Sequence, residues 1–212
     1  MELLDYLNNQ FLTLQQLLET TQVSEAELRR FQDGLLMPKA SYRLELNLNC
    51  DSFFGQHQQS ESLEYYAKGY ASWLGMLKAN DDSPAVYQAF SSRYTAKLAQ
   101  LKTEGFASDD PRVNEELPAH IDKEWQSFLT GTYGLCTRSG LPEDIATKEL
   151  AVIRINELFS RDALTDTELA QLARAVDLLD RASSAFAPHE RQRSSREQLI
   201  NEVRRKYQLK AG

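Results

Sequence analysis

The chain has 212 residues, of which 42% are hydrophobic and 26% charged, and carries a formal net charge of −7. That length and composition exclude disordered and fibrous classes, and allow one generous domain or a small domain beside a larger one. The acidity disfavours a broad nucleic-acid surface or docking on an anionic membrane, because both need clustered Lys and Arg; a local basic patch stays open.

The first residues, Met1 to Tyr6, place acid where a signal peptide needs a basic stretch, and no apolar run follows. No segment approaches the ~20 apolar residues of a membrane span. With only Cys50 and Cys136, the expectation is a cytoplasmic protein with two reduced thiols and no membrane contact.

Helical spacing dominates the chain. Leu14, Leu17 and Leu18 repeat at i, i+3, i+4. Ser24 and Glu27 form a capping box that opens a helix through Leu28 and Phe31, with Gly34 placed to stop it as a left-handed residue. Tyr42 to Asn49 alternate apolar and polar, which predicts a half-buried strand that Leu63–Tyr66 could pair with. The polar, Gln-rich stretch Cys50–Ser60 reads as a loop between them.

Beyond Gly69 the pattern is helical. Tyr70–Ala79 is short and aromatic. Ser83-Pro84 opens a helix to about Thr103. Residues 105–118 form the best internal loop, and Pro118 begins a helix through Trp125 and Phe128. Gly131, Gly134 and Gly140 break the pattern. Pro142 starts a helix with Ile145, Leu150 and Ile153 on its apolar face. Thr165 and Glu168 cap the next one, and a final helix runs from Pro188 to about Gln208.

Residues 12–44 resemble the start of MerR-type regulators. The resemblance rests on a helix after Thr13, the turn at Val23-Ser24, Leu28-Arg29-Arg30-Phe31, Gly34-Leu35-Leu36 with Pro38, and Tyr42-Arg43 leading into a wing-like strand. It implies a helix-turn-helix and, as DNA-contacting candidates, Arg29, Arg30, Lys39 and Arg43. Residues 1–50 nevertheless hold seven acids against those four bases, and no long dimerising helix follows. Charge therefore disfavours nucleic acid as a partner.

Further motifs spread over nearly the whole chain: Phe54-Gly55-Gln56-His57, Glu124-Trp125, Gly131 through Arg138, Ile145 through Leu150, Val176 through Asp180, and Ser194-Ser195-Arg196. With these the chain is similar to a bacterial domain family of unknown function labelled as natural-product-biosynthesis associated. That resemblance implies one globular unit and no particular mechanism.

The glycine-rich segment 131–140 is the most site-like stretch. Tyr133, Cys136 and Arg138 sit in it just before the helix at Pro142. A thiol near a helix N-terminus and an arginine would have its thiolate favoured, which makes Cys136 a candidate nucleophile; a small buried cysteine packed near Trp125 and Leu135 is the structural alternative. Three histidines without paired spacing predict no metal site and no cofactor is implied. Glu116, His120 and Glu124 share a helical face only if the helix passes Pro118. Asp177 and Asp180 are an acid pair that nearby Arg191, Arg193 and Arg196 could answer. The tail from Pro188 is basic, with seven Lys or Arg against three Glu.

The expected fold is mainly α, with an N-terminal winged-helix-like unit and small β hairpin (residues 1–68) packed through Gly55–Gly69 on a helical bundle (69–212), as one continuous globule. Three functions follow. The first is an accessory or small-molecule-binding protein with a pocket at His57, Tyr133, Cys136 and Arg138, whose partner is a small molecule or a protein. The second is a DNA-binding regulator and the third a cysteine-dependent enzyme using Cys136.

Overall fold

The computed structural model describes residues 2–161 and 163–210. It is mainly helical, with one small three-stranded antiparallel sheet. Helix α1 (Glu2–Gln10) buries Tyr6 and Leu7 and runs straight into strand β1 (Phe11–Thr13). Thr13 ends that strand and caps helix α2 (Leu14–Thr21): its hydroxyl accepts from the Gln16 amide at 3.2 Å, and the Gln16 side chain accepts from the Thr13 amide at 3.0 Å. Ser24 and Glu27 form the same reciprocal pair at the start of helix α3 (Glu25–Asp33).

The end of α3 departs from expectation. Gly34 keeps φ −74°, and the left-handed residue is Leu35 at φ 55°. The reason is burial. The kink at Leu35 leaves that side chain in water, while the amides of Leu36 and Met37 both donate to the Phe31 carbonyl and their side chains enter the core.

Strands β2 (Tyr42–Ser52) and β3 (Gly55–Ala67) pair residue for residue from Tyr42 opposite Tyr65 out to Ser52 opposite Gly55. β1 adds to the base of β3, giving the order β1-β3-β2. The polar stretch Cys50–Ser60 is therefore strand and turn, not a loop. Its backbone is satisfied by the ladder and its polar side chains are exposed to water, while cross-strand bonds support the ribbon: Ser60 donates to Asn47 at 2.7 Å and Ser62 to Glu45 at 2.9 Å. The outer part of this ribbon is exposed on both faces, and Phe53-Phe54 make its tip.

The bundle follows. Its helices are α4 (Tyr70–Ala79), α5 (Ser83–Thr103), α6 (Leu117–Leu129), a short α7 (Thr132–Cys136), α8 (Pro142–Phe159), α9 (Asp166–Ala182) and α10 (Glu202–Tyr207). Asp82, rather than Ser83, caps α5. The long final helix expected from Pro188 is broken up. A 3₁₀ turn covers Arg191–Arg193, Ser194 caps the next segment, and a π turn (Glu197–Asn201) leads into α10. Glu190 is the cause: its carboxylate accepts from the Tyr42 hydroxyl at 2.6 Å and from the Ala187 amide at 3.1 Å, which pins 186–190 to the base of the sheet as a turn.

One buried cluster extends from Leu17, Leu28 and Phe31 through Trp73, Phe90 and Phe128 to Ile200 and Val203. The rings of Trp73, Phe90, Trp125 and Phe128 meet at centroid distances of 4.9 to 6.2 Å, in edge-to-face, tilted and stacked pairs. The Trp73 indole N–H donates to the Leu36 carbonyl at 2.9 Å, tying bundle to N-terminal half. Only the Tyr65–Gly69 end of the expected Gly55–Gly69 contact takes part, since Gly55–Ser62 lies out on the exposed ribbon. Among the described residues, no helix is long and apolar enough to cross a membrane.

The glycines of 131–140 belong to this junction. Gly131 adopts φ +86°, and a Cβ there would sit 2.6 Å from the Lys39 carbonyl oxygen and 2.8 Å from that of Ala40. Neither backbone oxygen can swing away, because the Lys39 amide is itself bonded to the Leu129 carbonyl at 3.0 Å. Gly131→Ala should therefore lower folding stability by roughly 1–3 kcal/mol, combining a left-handed alanine with overpacking. Urea denaturation checks it, and a loss under about 0.5 kcal/mol would mean that the junction yields without strain.

Candidate functional site

The side chains of the 131–140 turn go three different ways. Tyr133 turns inward, where its hydroxyl donates to the carboxylate of Glu124, a residue only 8% exposed. Burial pushes the Glu124 carboxyl above its ordinary range, against the pull of the Tyr133 bond and of His120. Burial, then the charge of Glu124, pushes the Tyr133 phenol up as well. His120 Nε2 lies 3.7 Å from Glu124 and 3.8 Å from Glu149, and Arg112 donates to Glu149 at 2.9 Å. Tyr133 is thus part of an interior network.

Cys136 closes α7 and is half-buried. The environment expected to favour its thiolate is absent, because the start of α8 is engaged by Ser139, which precedes it: the Ser139 amide and hydroxyl donate to Asp144 of its first turn at 2.9 and 2.6 Å. Burial pushes the thiol up, outweighing the nearby Lys148 ammonium, which donates to the Cys136 carbonyl at 2.7 Å. Burial in turn pushes the Lys148 ammonium down.

Arg138 turns outward. Its guanidinium has no carboxylate partner among the described residues, although its amide is fixed to the Ala182 carbonyl at 2.8 Å. His57 is nowhere near this turn. It pairs with Cys50 on the exposed ribbon, ten residues along β3 from Ala67, a span of about 33 Å at ~3.3 Å per residue.

The candidates for DNA contact are largely engaged elsewhere. Arg29 pairs with Glu25 at 3.0 Å and Glu64 at 2.8 Å; Arg43 pairs with the same Glu64 at 2.8 Å; Arg30 pairs with Asp81 at 2.8 Å and stacks on Phe31. Burial alone would raise the Glu64 carboxyl, but the Tyr66 hydroxyl and the two arginines hold it below the usual range. Lys39 is exposed. Among the described residues, no group of three or more His, Cys, Asp or Glu is arranged to hold a metal ion.

Arg138 does line a cavity of about 260 Å³. One wall is the turn, with Gly134, Thr137 and Arg138. A second is the end of α9 and its continuation, with Asp180, Ser183 and Ser184. Arg196 enters from just before the π turn. Tyr6, Phe11 and Ala67 close it from the N-terminal half. Within the bundle, Thr137 and Ser183 form a β-bridge that holds the turn against the end of α9.

The electrostatics of the cavity are uneven. Arg196 pairs with Asp180 at 2.6 Å and donates to the Ser184 carbonyl at 2.9 Å. Asp180 also takes Arg204 at 2.7 Å, and Arg204 reaches Asp177 at 2.8 Å. Burial would raise the Asp180 carboxyl, but these arginine bonds hold it below its usual range. The acid pair is thus answered by arginines, with Arg204 in the place expected for Arg191 and Arg193. Arg138 makes no salt bridge among the described residues, although Asp177 and Asp180 line an adjoining recess with it, beside Arg181 and Arg204. The Ser183 hydroxyl, in a residue 5% exposed, has no hydrogen-bond partner among the described residues.

Residues 86–208, more than half of the chain, match the family of unknown function DUF6058. The chain belongs to that family. No curated protein and no solved structure matches it. The DUF6058 match takes in Arg138, Asp180, Ser183 and Arg196, while Tyr6, Phe11 and Ala67 lie before it.

Sequence reasoning found Arg138 and the acid pair but missed Ser183 and Tyr6 as cavity residues. Ser183 carries no local signal, since its place depends on the bridge to Thr137. The burial of Cys136 makes a sharp expectation. Cys50, exposed on the ribbon, should alkylate first, with Cys136 slower by roughly tenfold or more near neutral pH. Peptide mass spectrometry after timed iodoacetamide treatment measures it, and equal or faster labelling of Cys136 would restore the nucleophile reading.

Proposed function

We propose that this member of the DUF6058 family is a small-molecule-binding accessory protein, and that its ligand is a small anion of the carboxylate or phosphate class. The observation that carries the reading is one cavity lined both by Arg138, whose guanidinium makes no salt bridge among the described residues, and by Ser183, whose buried hydroxyl is unpartnered among them. A guanidinium offers a fork of donors suited to carboxylate or phosphate oxygens. The cavity, at about 260 Å³, is just below the ~300–1,000 Å³ of ordinary ligand pockets, which suits a small metabolite. Its place between the two halves is also where ligand sites concentrate. A biosynthesis-associated setting, as the motif resemblance implies, is compatible with such a protein.

A second reading has one observation in its favour. The order α1-β1-α2-α3-β2-β3, with the sheet in the order β1-β3-β2, supports a winged-helix reading of residues 1–68. As a DNA reader that unit is poorly equipped. Arg29, Arg30 and Arg43 are already ion-paired, and no Lys or Arg occurs between Leu44 and Ala67, the stretch a wing would use. A winged-helix scaffold carrying a ligand cavity accounts for both sets of observations.

Thermal shift against acetate, pyruvate, citrate and inorganic phosphate tests the ligand class. At 100 times its dissociation constant an anion should stabilise the protein by about 2.7 kcal/mol. Arg138→Gln should abolish that gain while leaving the unliganded melting temperature nearly unchanged, since the exposed Arg138 side chain makes no salt bridge among the described residues. A gain retained in Arg138→Gln, or no response to any of the four, would remove the proposal.

A further inference from the structure

The β2–β3 ribbon is the part of the molecule that the cavity does not explain. Beyond Tyr65 neither of its edges is paired, because β1 covers only Tyr65, Tyr66 and Ala67 of β3. A lone two-stranded ribbon is marginally stable in water. This one also presents Leu48 on its surface, and it ends in Phe53 and Phe54, 97% and 96% exposed, with rings in edge contact at 5.3 Å.

Natural edge strands usually carry Lys, Pro or a bulge to prevent pairing with another chain. From Leu44 to Ala67 there is no Lys, no Arg and no Pro, and the register between the strands is unbroken from Tyr42 to Ser52. The edge is therefore flat and unguarded. Its only charges are acidic: Glu45, Asp51, Glu61 and Glu64.

At the base of the ribbon lies a recess of about 190 Å³ lined by Leu135, Phe186, Glu190 and Arg193. Glu190 fixes it there through its bond to Tyr42, the first residue of β2. Tip and recess are thus separated by the length of β2, eleven residues or roughly 36 Å. Tip and recess of one molecule cannot meet. Two ribbons laid antiparallel bring each tip to the other's base.

We propose that a second copy of this chain covers the ribbon: two β2 edges pair antiparallel about Asn47, and Phe53 and Phe54 of each copy seat at the recess of the other. The contact is isologous and closes on itself, as a two-fold dimer requires. Charge is complementary at the recess, because the acidic ribbon end with Asp51 meets the exposed Arg193 that lines it. The four phenylalanines alone would bury about 600–1,000 Å², a large share of the ~1,200–2,000 Å² in a stable interface.

Sedimentation equilibrium of the full chain, with two variants, tests this. The unaltered protein should be a dimer at micromolar concentration. Phe53→Ser combined with Phe54→Ser should be monomeric at ten times the wild-type dissociation constant, with unchanged circular dichroism and melting temperature, because neither ring packs on its own core. In a Cys50→Ser background, Asn47→Cys should cross-link to itself under mild oxidation, since Asn47 sits on the two-fold axis. A wild-type monomer at 100 times micromolar concentration, a dimer that survives loss of both rings, or an Asn47→Cys variant that stays reduced would each overturn the proposal.

Discussion

The close approach of the 131–134 turn to the chain at 39–41 sets the geometry of the rest. A Cβ on Gly134 would lie 2.1 Å from the Ser41 hydroxyl and 3.0 Å from both the Ala67 methyl and the Tyr70 hydroxyl. With that contact made, the start of β2, the end of β3 and the start of α4 all converge on one short turn. Arg138 is then held four residues beyond Gly134, at the rim of the cavity, by its amide bond to Ala182. The glycines that make this stretch look site-like in the sequence thus have a packing role, and the cavity is what remains between the surfaces they bring together.

Much of the architecture was legible where local chemistry decides it. Ser24 with Glu27 and Thr165 with Glu168 are reciprocal caps, and both helices begin where those pairs place them. Pro142 opens α8 in the same way. What was not legible depends on distant partners. The ribbon from Cys50 to Ser60 has the composition of a loop, and only its cross-strand register makes it strand. The helix expected from Pro188 fails because Glu190 meets Tyr42, 148 residues away in sequence. Helical periodicity cannot anticipate an intruding carboxylate of that kind.

The same division applies to the site. Tyr133, Cys136 and Arg138 are neighbours in sequence, yet a five-residue helix between Thr132 and Cys136 sends them to different surroundings. Tyr133 enters the Glu124 network, Cys136 is covered, and only Arg138 reaches the cavity. His57 had no structural warrant beyond its residue type, and the unforeseen length of β3 carries it away. Arg196 and Asp180 were visible as charges, but their meeting depends on the turn at Ser183–Arg193 folding back beside α9.

Charge distribution connects these features. An overall charge of −7 suggests an acidic molecule throughout, yet the acids are spent unevenly. In the N-terminal half, Glu64 bridges Arg29 and Arg43, and the ribbon beyond it is purely acidic. In the C-terminal half, Asp177 and Asp180 engage Arg204 and Arg196, which leaves Arg138, Arg191 and Arg193 nearer to open solvent. Strand β3 joins the two regimes. It runs in unbroken register from the acidic tip to Ala67 on the cavity wall. The ribbon and the wall are one continuous strand, so whatever fixes the direction of the ribbon also fixes the position of Ala67 against Gly134. The geometry of the anion cavity and the reach of the exposed phenylalanines therefore rest on the same backbone.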